Sequence, residues 1–222
     1  MSKIDAVGRR VQGAFAGASR AERLHVAGRL RSCPIDAIAA ATPASGRILD
    51  FGCGHGVVAL YLAMTSSDRD ITGVDVDGDK VLDARSAAES AGVAIHFEEV
   101  EPEYRPTGEW DAITVVDVLY LLGEAAAWEV VDAAAEALAA GGVLVIKEID
   151  VRPRWKFWLA AGQEVLATKL FRITEGSRVR FLAPADIDAR LVKNGLQVEH
   201  RSSHRGRLHP HHLIVARKSA DA

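Results

Sequence analysis

Cysteine, methionine and tyrosine are scarce in this chain: of its 222 residues two are Cys, two are Met and three are Tyr. Cys33 and Cys53 alone cannot build a disulfide framework or a cysteine zinc site, and a reducing compartment such as the cytoplasm is the expected location. An excess of either charge is missing too. The 27 basic and 30 acidic residues leave a formal charge of −3, so nothing draws the chain as a whole toward nucleic acid or an anionic membrane. No apolar run reaches membrane-spanning length, and Met1 to Arg20 carries Lys3, Arg9 and Arg10 without the apolar core of a signal peptide. A soluble protein with no transmembrane segment is expected. At 49% hydrophobic residues the chain can bury a sizeable core as one α/β domain with additions.

What the chain does contain is a glycine turn. Ile48-Leu49-Asp50-Phe51-Gly52-Cys53-Gly54-His55-Gly56 sets a carboxylate and three glycines at alternate positions directly after an apolar strand. Glycine reaches backbone conformations closed to other residues and lets a ligand lie against the main chain, so the pattern describes a tight turn built around a small bound molecule. Further on, Ile71-Thr72-Gly73-Val74-Asp75-Val76-Asp77 reads as a second apolar strand that delivers Asp75 to its carboxyl end, where a carboxylate can accept from both ribose hydroxyls. A nucleoside is the expected ligand. A dinucleotide-binding domain competes, but its G-x-G-x-x-G fingerprint places the third glycine one position later and has no acid at the place of Asp50.

The chain resembles the class I S-adenosylmethionine-dependent methyltransferases in these residues. Trp110-Asp111-Ala112-Ile113 with Val115 to Leu119 is similar to that family's fourth strand, and Leu138 to Ile146 to its fifth, so the resemblance runs from about Ser45 to Lys218. It implies a seven-stranded, mostly parallel sheet with helices on both faces and the last strand antiparallel. It also implies S-adenosylmethionine as cofactor, S-adenosylhomocysteine as product, and a cofactor site of Asp50, Gly52, Cys53, Gly54, Gly56, Asp75, Val76, Glu101 and Asp117. The glycine-aspartate pair expected after the third strand is absent. Glu101 takes its place against the adenine amino group, with Glu99 as the alternative and a solvated loop charge as the structural reading of either.

Periodicity and punctuation set an N-terminal helical cap over residues 1–45 apart from the domain over 46–218, which the resemblance implies is the S-adenosylmethionine-binding methyltransferase domain. One or two amphipathic helices are expected between Ile4 and Leu30. Strands are expected at Arg47–Asp50, Ile71–Val76, Val93–Phe97, Trp110–Val116, Val143–Ile149, Leu196–His200 and His212–Arg217. Helices are expected at Val57–Met64, Asp79–Ala91, Ala125–Ala140 and Pro184–Asn194. The alternation is that of a parallel sheet.

Two segments stand apart. Residues 151–182 hold seven basic residues against Glu164 and Glu175, and open on Trp155, Phe157 and Trp158. Leaving the carboxyl end of the fifth strand, this stretch reads as a lid insertion over the acceptor, with Trp155 and Trp158 as substrate contacts; packing or homodimer contacts are the structural alternative. Between the last two strands, five of the eight histidines fall within His200 to His212. His209 and His204 are the first candidates for a general base, since imidazole titrates near neutral pH; a solvated hairpin is the alternative, and no partnering acids suggest a metal. Asp117, Tyr120 and Glu148 are the further base candidates on the active-site edge, with positioning of backbone or substrate as the alternative for Asp117 and Glu148; Tyr120 and Glu148 also complete the substrate candidates. Asp117 to Leu121 lacks the Asn/Asp-Pro-Pro-aromatic motif of nucleic-acid amino methylation, so a small-molecule or lipid-like acceptor is expected. A nicotinamide-dependent oxidoreductase and a non-catalytic S-adenosylmethionine-binding protein remain the alternatives.

Overall fold

The computed structural model describes residues 4–149, 182–203 and 211–220. Three helices come first, α1 (Ala6–Ala14), α2 (Arg20–Ser32) and α3 (Ile35–Ala41). Strands and helices then alternate: β1 (Gly46–Phe51), α4 (Val57–Thr65), β2 (Arg69–Asp75), α5 (Gly78–Ala91), β3 (His96–Glu99) and β4 (Trp110–Val116). A 3-10 turn at Leu119–Leu121 leads to α6 (Glu124–Glu136) and β5 (Leu138–Ile149), and the described part closes with α7 (Pro184–Lys193), β6 (Leu196–Ser203) and β7 (His211–Lys218).

The seven strands form one sheet in the order β3-β2-β1-β4-β5-β7-β6. β1 pairs parallel with β2 and β4, β2 with β3, and β4 with β5, while β7 runs antiparallel between β5 and β6. This is the fold of the class I methyltransferases. The strand order reverses direction between β1 and β4, and in open α/β sheets the crevice outside the carboxyl ends at such a reversal is where ligands bind.

Alternation along the strands fills two layers. Ile48, Ala112, Val143 and Val145 face the layer built with α1 to α5, and Leu49, Ile113, Leu144 and Ile146 face the layer with α6 and α7. α4 is apolar on every side because it lies between the sheet and the N-terminal helices: Val57 to Leu62 are all buried. One buried cation ties the base of this layer together. Arg69 donates to the carbonyls of Pro43 (2.7 Å), Leu62 (2.8 Å), Ala39 (3.2 Å) and Thr42 (3.1 Å) and to Thr65 Oγ1 (2.5 Å), joining α3, α4 and β2.

The expected elements change in three places. The helix expected to run to Ala140 ends at Glu136, because Leu138 pairs with Trp110 at the start of β5 and the Trp110 N–H takes the Ala137 carbonyl. Alanine favours helix, yet sheet pairing beside β4 overrides that weak preference. The strand expected at Val93–Phe97 shifts to His96–Glu99, aligned by Thr72 to Asp75 of β2. A third N-terminal helix, α3, lies between Pro34 and Thr42, where only punctuation was read.

Candidate cofactor and acceptor site

Asp50, next to last in β1, is almost fully buried. Its Oδ1 accepts from Thr114 Oγ1 of β4 at 2.7 Å, while Oδ2 is buried with no hydrogen-bond partner among the described residues. Burial pushes this carboxyl up to about 6, against the opposing pull of the Thr114 hydroxyl and the Arg29 guanidinium.

The turn after β1 uses its glycines in different ways. Gly52, Gly54 and Gly56 have φ of 71°, 52° and 74°, the left-handed region. A Cβ on Gly52 would lie 2.4 Å from Val118 Cγ2, and one on Gly56 2.8 Å from the Phe97 ring, so protein occupies the space beside both. A Cβ on Gly54 meets nothing closer than Lys80 Cδ at 3.9 Å. The turn is open at Gly54. There the Gly54 N–H donates to Asp75 Oδ2 at 2.7 Å and the Asp77 N–H to Asp75 Oδ1 at 3.0 Å, so the carboxylate at the end of β2 is aimed by backbone on both oxygens. Val76 follows it, 38% exposed. Cys53 is buried behind the turn, with its N–H on the Val74 carbonyl, and burial followed by the Asp50 and Asp75 carboxylates pushes its thiol well up. It remains a thiol and packs. Glu101 is exposed beyond β3, at a turn where its carbonyl accepts from the Tyr104 N–H.

At the end of β4, Asp117 takes φ 59°, the one positive value outside glycine among the described residues. Its N–H bonds the Lys147 carbonyl at 2.8 Å, and its carboxylate receives Lys147 Nζ at 2.6 and 2.7 Å and Arg29 Nη1 at 2.5 Å. Arg29 Nη2 also bonds the Val116 carbonyl at 3.0 Å. Asp117 is thus clamped by two cations, one from β5 and one from the N-terminal helices. Next in β5, Glu148 is buried, with Oε1 accepting from the Leu119 N–H at 3.1 Å; burial, then the Asp117 carboxylate, pushes it up to about 8. Tyr120 lies half-buried in the 3-10 turn.

Side chains of α2 reach the same edge. Besides Arg29 on Asp117, its His25 ring lies 5.1 Å from the ring of His55 in the glycine turn. His55 Nδ1 lies 3.2 Å from Asp83 Oδ2 of α5 but outside hydrogen-bonding geometry, so the contact is electrostatic only. Asp83 in turn shares a hydrogen bond with Glu22 of α2, and burial and that neighbouring carboxylate push it up to about 6, while the Ser19 N–H keeps Glu22 low. Arg29 and His55 were not read from the sequence as site residues. Arg29 was one of several arginines on an amphipathic helix, and no local pattern distinguishes the one that reaches 88 residues along the chain.

The structure therefore brings Asp50, Gly54, Asp75, Asp117 and Glu148 to one sheet edge. His204, His209, Trp155 and Trp158, with the expected lid, lie outside the described residues. Among the described residues no group of three or more His, Cys, Asp or Glu is placed to hold a metal ion, and no helix is long and apolar enough to cross a membrane.

Several known proteins are similar to this chain in sequence or fold. A ubiquinone biosynthesis O-methyltransferase from Psychrobacter arcticus is 29% identical over 157 residues, spanning 68% of this chain; the chain covers 59% of that enzyme's length, under two thirds. An O-methyltransferase family protein from Burkholderia thailandensis superposes with TM-score 0.68 at 18% identity, over 94% of this chain and 62% of the other. The magnesium protoporphyrin IX methyltransferase of Synechocystis PCC 6803, solved with S-adenosylhomocysteine bound, superposes with TM-score 0.63 at 17% identity, over 95% and 94% of the two chains. The methyltransferase domain family model matches residues 24–201, and the chain belongs to that family, the class I methyltransferases that use S-adenosylmethionine.

Proposed function

We propose that this protein transfers a methyl group from S-adenosylmethionine to an oxygen of a small-molecule acceptor. The observation that carries the reading is the opening at Gly54 beside Asp75, whose carboxylate is aimed by two backbone N–H groups with lone pairs to spare for a ribose diol. The residues fit the donor at its other end as well. The unpartnered Oδ2 of Asp50 suits an ammonium group, and Arg29, close enough to lower the Asp50 carboxyl, suits a carboxylate. Oxygen as the methylated atom is supported by relatives named O-methyltransferases.

The sulfonium donor supplies an already activated methyl group, so the protein's part is to orient and to exclude water. The glycine turn and Asp75 fix the nucleoside, and the α2 strap over Asp117 and His55 covers the edge from which it would leave. Alignment of this kind can contribute about 7–11 kcal/mol. The cytoplasm is the proposed compartment, consistent with Cys33 and Cys53 as free thiols. Calorimetry with S-adenosylhomocysteine beside NAD, followed by a radiolabelled methyl-transfer screen over phenols, carboxylates and amines, tests the reading. Binding of NAD with no response to the sulfur nucleoside would sink it.

A further inference from the structure

Seven polar or charged side chains are buried among the described residues, and six have an evident place. Thr42 and Arg69 brace the base of α3 and α4, Thr114 holds Asp50, and Asp117 and Lys147 hold each other. Glu148 is left over. Its described partners are backbone N–H groups, Leu119 on Oε1 with Val118 beside it; among the described residues no cation bridges it, because the neighbouring Lys147 is committed to Asp117. A buried carboxyl that gains no ion pair is costly to keep, and its position is the carboxyl end of β5, beside the β4 end that faces the cofactor crevice.

We infer that Glu148 is the general base that takes the proton from an acidic hydroxyl of the methyl acceptor, an inference that rests on the methyl-transfer reading above. The Leu119 N–H holds Oε1, which leaves Oε2 to receive the proton. The acceptor O–H bond breaks as the carboxyl O–H bond forms, and the negative charge passes from Glu148 to the acceptor oxygen. Methyl transfer then neutralises that oxygen and the sulfonium together, and Glu148 returns its proton to solvent.

The charges around Glu148 suit this exchange. Asp117 of β4 is a carboxylate, Lys147 of β5 and Arg29 of α2 are cations, His212 of β7 stands opposite in the cross-strand register, and Tyr120 lies in the adjoining 3-10 turn. Two cations against one carboxylate leave this cluster net positive when Glu148 is protonated, which favours an oxyanion beside it. At about 8, the Glu148 carboxyl lies within roughly two units of a phenol near 10, so a phenolic proton can cross at little cost. Such matching is what a base for neutral-pH chemistry requires.

The test uses the full chain saturated with S-adenosylhomocysteine, and 4-nitrophenol as a probe whose phenolate is coloured. Wild type is expected to bind the probe as phenolate even at mildly acidic pH, with affinity falling as pH rises past about 8 and Glu148 ionises. E148Q, which keeps an oxygen for the Leu119 N–H and leaves the cluster as positive as the protonated carboxyl does, should bind S-adenosylhomocysteine within twofold of wild type and hold the coloured phenolate without the limb near pH 8. With S-adenosylmethionine, E148Q should keep methyl transfer to 4-nitrophenol, which the nitro group lets arrive ionised, and lose more than tenfold of the transfer to phenol, near 10, which in wild type rises with pH through about 8. E148D should restore the phenol reaction in part. If E148Q keeps the limb near pH 8, or loses transfer to phenol and 4-nitrophenol equally, or if the wild-type complex does not bind the probe, Glu148 is not the base. If wild type does not bind S-adenosylhomocysteine, the proposed function itself falls.

Discussion

Lys147 and Asp117 form an ion pair almost wholly removed from water, with Nζ 2.6 Å from Oδ1 and 2.7 Å from Oδ2. Removing one member of a buried pair leaves the other desolvated and uncompensated, at a cost of about 3–5 kcal/mol. Lys147→Met should sit at the low end, about 3 kcal/mol, because Arg29 still meets Asp117. Urea denaturation checks it. The double variant with Asp117→Leu should lose much less than the two single losses added, and strict additivity would show that the pair is not coupled.

Asp75→Ala should weaken S-adenosylhomocysteine binding by about 1.5–3 kcal/mol, the range for hydrogen bonds to a charged group. The Gly54 and Asp77 N–H groups also lose their acceptor, so a small drop in melting temperature should accompany it. Affinity equal to wild type in calorimetry would remove the ribose role from Asp75.

Gly52 and Gly54 should respond to alanine in opposite ways. At Gly52 the new methyl strikes Val118 and the backbone is left-handed, so Gly52→Ala should lower stability by well over the roughly 1–2 kcal/mol of the left-handed backbone alone. At Gly54 the methyl enters open space, so stability should fall by about that backbone cost while S-adenosylhomocysteine binding falls more than tenfold. Thermal melts with and without the ligand separate the two effects, and an unimpaired Gly54→Ala variant would mean that the nucleoside lies elsewhere.

The Glu22–Asp83 contact makes stability depend on pH. Asp83 is raised from 3.8 to about 6 on folding, so the folded state holds a proton that the unfolded state releases. The stabilisation is present below about pH 4 and is lost as pH rises through 6. Asp83→Asn cannot ionise and can still donate to Glu22, so it should melt higher than wild type at pH 8 and no higher at pH 4. His55, held below its usual value by burial, acts in the opposite direction, so the wild-type slope between pH 5 and 7 should be shallow and should steepen in His55→Ala. Identical melting profiles for Asp83→Asn and wild type across this range would remove the shared proton.

Arg69 should be the most damaging surface-distant substitution at the base of the fold. Arg69→Met removes donors from four carbonyls and a hydroxyl, and should cost about 3 kcal/mol in denaturant titration without changing S-adenosylhomocysteine affinity in the folded protein.

The order of elements, the glycine turn and Asp75 were legible in the sequence because each is a local matter. Strand alternation has a period of two, the left-handed turn demands glycine, and a carboxylate that ends an apolar strand must lie at the sheet's edge. Local preference misled where pairing decided instead: the alanine run after Glu136 has the composition of a helix, yet Leu138 is drawn into β5 by Trp110. The clamp on Asp117 and the isolation of Glu148 belong to tertiary structure alone. Arg29, Asp117 and Lys147 are far apart in the chain, and only the fold, which pairs β4 with β5 and brings Arg29 of α2 to the end of β4, sets their charges together. A side chain's charge state follows from what surrounds it, and the surroundings of Glu148 are supplied by other strands and another helix. Sequence alone thus determined where a nucleoside can lie; the packing of distant segments decided which neighbouring acid is left to move a proton.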